Sequence, residues 1–120
     1  MKKFVFLFVF FIMLINVNLV SAQDVWVDHW NYENVDIYVM NDTITIGKDN
    51  DGYRWFKVIT KEVKNNELIK TIKWSYGEMS TEWRYETSEM DGMHTNHVTK
   101  HDKVFQYCMK YLGWSYTPSW

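Results

Sequence analysis

Two stretches, residues 53–63 and 68–76, alternate in side-chain character and are separated only by a short polar break. In the first, Tyr53, Trp55, Ile59 and Val63 share one parity, and Phe56 and Val58 take the other. In the second, Leu68, Ile72, Trp74 and Tyr76 point one way, with the Lys70 stem among them. Side chains of a strand alternate between faces, so a period of two fits strands and not a helix. The break, Lys64-Asn65-Asn66-Glu67, reads as a polar four-residue turn, and asparagine tolerates the positive φ that a tight hairpin requires. A long antiparallel hairpin is therefore what the rest of the fold must accommodate. Its first strand is apolar on both sides, which places it at the centre of a sheet or in a strongly curved one.

Shorter elements surround it. Val25-Trp26-Val27 begins a strand that reaches toward Trp30, and residues 31–34 form a turn. Val35, Ile37 and Val39 alternate along a second strand, which Asn41-Asp42 ends; Thr43 to Ile46 make a short β-branched strand. Residues 47–52 are the strongest turn signal. Gly77 is expected to begin another turn. Residues 81–88 then place Trp83 and Tyr85 inward, with Glu82, Arg84 and Glu86 outward. Asp91-Gly92 breaks the pattern, and residues 93–98 are expected to form an edge strand.

The period changes near the end. Val104, Phe105, Cys108, Tyr111 and Leu112 make one helical stripe, which predicts a helix over about 101–112. Thr99 with Asp102 resembles a capping box, and Gly113 suits the position after a helix. Trp114 and Tyr116 are expected to continue as a tail. Strands followed by one helix predict a mainly β (α+β) domain. Its antiparallel sheet has five to seven strands and room to curve like a half-barrel, with the C-terminal helix packed on a face.

The beginning of the chain is different. Lys2 and Lys3, an apolar run over 4–15 and Val20-Ser21-Ala22 have the order of a secretory signal, with cleavage expected between Ala22 and Gln23. Residues 1–22 are thus expected to be a leader and 23–120 a single domain in a bacterial periplasm, at the cell surface or outside the cell. After its removal no apolar run is long enough to span a membrane. That remainder holds 11 Lys and Arg against 15 Asp and Glu, a net charge of −4, with all seven Trp and all eight Tyr. The acidic balance argues against a nucleic-acid partner. A single cysteine, Cys108, cannot form an intrachain disulfide. Aromatic side chains must supply the core instead, each burying about 150–250 Å².

Several groups could carry chemistry. His94, His97 and His101, beside Asp91 and Asp102, could in principle hold zinc or copper. On a strand, however, positions 94 and 97 face opposite ways, so the reading favoured is three solvent-facing imidazoles and no metal or other cofactor. Asp49-Asn50-Asp51-Gly52 resembles a fragment of a calcium loop but lacks its later ligands, and a hairpin turn explains it. Glu82 and Glu86 flank Arg84 on an outward face, as solvated charges do. Cys108 lies mid-stripe, which predicts a buried, inert thiol. Asn41-Asp42-Thr43 fits a glycosylation sequon and has little weight in a bacterial context. No Gly-rich phosphate loop or serine elbow is present, so no catalytic residue is assigned and an enzyme is not expected. The aromatics offer another route: Trp26, Trp30, Tyr38 and Trp55 are the candidates for a ligand-binding surface.

The layout resembles small exported bacterial proteins of the surface-adhesin protein E type. The resemblance rests on the leader, the aromatic-rich strands, the segment Val35-Asp36-Ile37-Tyr38-Val39-Met40-Asn41-Asp42-Thr43-Ile44, and the late Tyr107-Cys108. It implies a sheet with a C-terminal helix laid on it, and binding of host or envelope macromolecules. In that family the helix cysteine is tied to the sheet by a second cysteine, which is missing here. The helix must then be held by Val104, Phe105, Tyr111 and Leu112. There is also no cysteine after Ala22 to carry a lipid anchor. The expectation is a non-enzymatic binding module whose partner is an extracellular or envelope macromolecule. The rival readings are a metal-handling protein or enzyme built on His94, His97 and His101, and an envelope protein that self-associates through an edge strand.

Overall fold

The computed structural model describes residues 20–119, so most of the expected leader lies outside the described residues. Strands β1 (Asp24–Trp30), β2 (Val35–Met40), β3 (Thr45–Lys48), β4 (Arg54–Lys64), β5 (Glu67–Met79), β6 (Glu82–Thr87) and β7 (Asn96–His97) precede one helix, α1 (Lys103–Leu112). They form one open antiparallel sheet in the order β1-β2-β4-β5-β6-β7, with β3 also paired to β4. The helix packs against one face of it. Among the described residues no helix is long and apolar enough to cross a membrane.

The central hairpin is β4–β5. Lys64 pairs with Glu67, so the loop tightens to Asn65-Asn66, with φ of 51° and 62°. Positive φ at both positions is the pattern of a type I′ turn, whose twist matches that of the strands. Along its other edge β4 receives β2 (Asp36↔Val63 to Val39↔Thr60) and then β3 (Thr45↔Lys57 to Lys48↔Arg54). A 3-10 turn, Asn41–Thr43, separates the two. There Thr43 Oγ1 donates to the Met40 carbonyl at 2.7 Å and accepts from the Ile59 amide at 2.9 Å. This hydroxyl fills the gap in the ladder, and it explains why the β-branched run becomes a strand only at Thr45.

Gly77 does not begin a turn. It pairs with Trp55 on one side and Arg84 on the other, in the interior of β5. The chain reverses three residues later, at Ser80, whose φ is 59°. One edge of the sheet is the seven-residue β1, and at the other the expected edge strand over 93–98 shrinks to Asn96–His97. Around it the chain is held by side chains: the Arg84 guanidinium donates to the Thr95 hydroxyl at 2.7 Å and to the Thr95 carbonyl at 2.6 Å.

The core lies between the sheet and α1. The sheet supplies Val35, Ile37, Val39, Phe56, Val58, Ile72, Trp74, Tyr76 and Trp83, and the helix supplies Val104, Phe105, Cys108 and Met109. The stripe is rotated from the expected one. Tyr111 is 55% exposed and stacks on Tyr107 at 6.2 Å, Met109 is buried in its place, and Leu112 is half-buried. Asp102 is itself the N-cap: its carboxylate accepts from the Phe105 amide at 2.9 Å, so the helix starts at Lys103. At the far end Gly113 has φ of 72°, and the Trp114 amide donates to the Met109 carbonyl.

That reversal turns the tail back onto the sheet. Trp114 lies 6.2 Å from Phe56 and 6.0 Å from Trp83, and Tyr116 meets Phe105 edge-on at 6.1 Å. Phe56 also stacks on Tyr76 at 4.7 Å and meets Trp83 and Phe105 at 5.8 and 6.1 Å. The Arg54 guanidinium covers Trp114 at 4.7 Å while donating to both oxygens of Glu78 at 3.0 and 3.1 Å. Those bonds hold the Glu78 carboxyl below its ordinary range. Removing the ring that all these elements share should be costly. Phe56→Ala is expected to destabilise the domain by about 3–5 kcal/mol, and Tyr111→Ala by no more than about 0.5 kcal/mol, both read from urea unfolding.

Candidate functional site

The four aromatic candidates do not share a surface, and a β-bulge is the reason. In β1, Trp26 pairs with Tyr38, but the register shifts before Asp28, and Trp30 pairs with Val35. Trp26 and Trp30 have the same sequence parity, yet the extra residue, Val27, sends them to opposite faces. Trp26 and Tyr38 lie on the face away from the helix, where the Trp26 indole donates to Asp36 at 3.0 Å. Trp55 is on that face too, at the other end of β4, and its indole lies across Gly47, where a Cβ would collide with it. Lys57 Nζ approaches the same ring at 5.5 Å. Only Trp30 lies on the helix face.

There it helps form a cleft. One hollow, of about 180 Å³, is lined by Asp28, Trp30, Trp74, Tyr85, His101 and Asp102, among others. A second, of about 220 Å³, is lined by Trp30, Trp74, Tyr85, Ile72, Glu89 and Asn96, with others. The same three rings floor both. Trp74 is fixed in the middle strand by its indole, which donates to Thr60 Oγ1 at 2.8 Å. Trp30 meets it edge-on at 6.5 Å, and Tyr85 lies 5.9 Å away on the neighbouring strand. A ten-residue helix is about 15 Å long, so α1 does not cover the whole face: beside its N-terminal end Trp30 and Tyr85 are half-buried, while Trp74 between them is buried.

The cleft wall at that end is Asp102. Besides capping the helix, it accepts from the Tyr76 hydroxyl at 2.9 Å. Burial raises its carboxyl above the ordinary range, with the nearby Asp28 charge acting in the same direction, while the bonds from Phe105 and Tyr76 pull against it. Burial likewise pushes the Tyr76 phenol well up, so it remains a donor. Asp28 accepts from the His29 amide at 2.8 Å.

The histidines disperse. His94 pairs with Asp91 at 2.7 Å and His97 with Glu82 at 2.8 Å, and His101 stands exposed on the cleft rim. Among the described residues no three His, Cys, Asp or Glu side chains converge on a point where a metal could sit. Asp49 caps its own turn, accepting from the Asp51 and Tyr53 amides at 2.9 Å each. Cys108 is fully buried, and burial pushes its thiol up to about 12. Of the residues singled out by sequence, Trp30, His101 and Asp102 meet at the cleft. Trp74 and Tyr85 have the parity of core residues, and nothing in the sequence marks the part of the face that the helix leaves bare. No protein-family model matches this chain, nor does any curated protein or solved structure.

The raised Asp102 carboxyl has a stability consequence. The folded protein holds that proton more tightly than the unfolded chain, whose value is near 3.8. The penalty is absent below that value and grows as pH rises through the folded one. Asparagine keeps the acceptor for the Phe105 amide without the charge. The melting temperature of Asp102→Asn relative to the native protein is therefore expected to shift in favour of the variant between about pH 3 and about pH 7. A shift in the native protein's favour would mean that the carboxylate charge itself stabilises the fold.

Proposed function

We propose that the chain is an exported, non-enzymatic binding module of the bacterial envelope or cell surface, and that it binds through the cleft beside the helix N-terminus. The observation that carries this is the pair of half-buried rings Trp30 and Tyr85, set around the buried Trp74 beneath a polar rim. A concave apolar floor with a few polar groups around it is the usual form of a small-ligand site. The titratable groups of the cleft support recognition over catalysis, because both oxygens of Asp102 already accept structural hydrogen bonds. The basic-then-apolar start of the chain supports export. The adhesin-like layout agrees with binding, with the difference that packing and the bond from the Tyr107 hydroxyl to Asn41, at 2.5 Å, do here what a disulfide does in that family.

A screen of the purified protein against matrix proteins, peptides and soluble glycans, read by tryptophan fluorescence, tests this. A saturable change is expected with at least one class, and Trp30→Ala should remove it while Trp26→Ala does not. No change with any class, or loss in Trp26→Ala alone, would contradict the proposal.

A further inference from the structure

We infer that the cleft is a saccharide site that holds two consecutive rings of a neutral glycan; this rests on the reading of the protein as a module that binds through that cleft. The floor comes first. Trp30 and Tyr85, each half-buried around the buried Trp74, present aromatic carbon, which matches the C–H-bearing face of a sugar ring and buries apolar area without demanding hydrogen bonds.

The rim then selects among ligands. Asp28 and Glu89 carry acceptors, Lys103 only donates, Asn96 does both, and His101 can do either. Sugar hydroxyls also donate and accept, so a polyol can satisfy such a mixture. An anion would face Asp28, Asp102 and Glu89. The helix N-terminus, which ordinarily attracts anions, already has its Phe105 amide bonded to Asp102. A cation would face Lys103, and two of the three carboxylates are engaged: Glu89 with Lys70 at 2.8 Å, and Asp102 with Tyr76 and Phe105. Neither sign of charge is favoured, and a neutral ligand remains.

Size sets the length. The two hollows, of about 180 and 220 Å³, share the three floor rings and have otherwise different walls. Each has room for one six-membered ring. Asp28 and Lys103 then serve one subsite, and Glu89 and Asn96 the other.

The test uses glucose and N-acetylglucosamine with their β-1,4-linked dimers and trimers, titrated into the purified protein and followed by tryptophan fluorescence and saturation-transfer NMR. In at least one series the disaccharide should bind about tenfold or more tightly than the monosaccharide, with little further gain from the trimer. Trp30→Ala should weaken every member about tenfold or more. Asp28→Asn and Asn96→Ala should each erode the advantage of the second ring, and Trp26→Ala, on the opposite face, should change nothing. If Trp30→Ala loses its native circular-dichroism spectrum, the Asp28 and Asn96 variants decide the matter. Equal affinities for one ring and two, or insensitivity of the disaccharide to both of those variants, would overturn the inference. So would binding of tetramethylammonium or a lysine-rich peptide, lost in Trp30→Ala, with no response to any saccharide; that result would leave the binding-module reading intact. Silence from saccharides, cation and peptide alike would overturn this inference, and silence from matrix proteins as well would remove the binding-module reading with it.

Discussion

The packing of Phe56 against four other rings is the contact on which the arrangement depends. Phe56 lies in the central strand, Tyr76 and Trp83 in the next two, Phe105 in the helix and Trp114 in the tail, with centroids 4.7–6.2 Å from it. One side chain thus joins every layer of the domain. The chain has a single cysteine and no crosslink, so the docking of the helix relies on this burial, on the Asp102–Tyr76 and Tyr107–Asn41 bonds, and on the aliphatic contacts around them. Aromatic rings suit that task. Each removes a large area from water at a low cost in side-chain entropy, and offset or edge contacts add to the area term.

The same economy creates the cleft. A helix of ten residues seals the part of the sheet under Phe105, Cys108 and Met109, and the glycine at its end turns the tail back over Phe56 and Trp83. Among the described residues no second helix covers the other end of the face, where the half-buried Trp30 and Tyr85 extend the same aromatic layer past the buried Trp74 to the surface. Asp102 stands at the boundary, capping the helix, holding Tyr76 and forming a wall of the cleft. The residue that caps the helix thus also lines the cleft, and its burial there raises its carboxyl above the ordinary range.

The other face of the sheet has a different character. Lys61 and Asp24 form an ion pair of 2.8 Å with side chains 7% and 1% exposed, and among the described residues Asp24 Oδ1 has no hydrogen-bond partner. A buried pair of this kind contributes less to stability than its short distance implies, because desolvation offsets the attraction. Trp26 and Trp55 lie on this face, where Trp26, 53% exposed, bonds Asp36 through its indole and the Trp55 indole lies across Gly47.

Local rules in the sequence determine the long hairpin, the strand nature of residues 24–30 and 35–40, the helix and its glycine stop, and the burial of Cys108. Those features depend on side-chain period and on backbone preferences that act within a few residues. The tertiary structure alone decided which aromatics meet. The extra residue at Val27 reverses the face of Trp30 relative to Trp26, and Thr43 patches a gap that is visible only once β2 and β3 lie along one edge of β4. The helix stripe rotates from Tyr111 to Met109 because contacts with the sheet, and not the helix's own periodicity, choose among neighbouring positions. Parity tells which side of a strand a residue occupies, but cover comes from elements distant in the chain, and a cleft is a place where that cover stops.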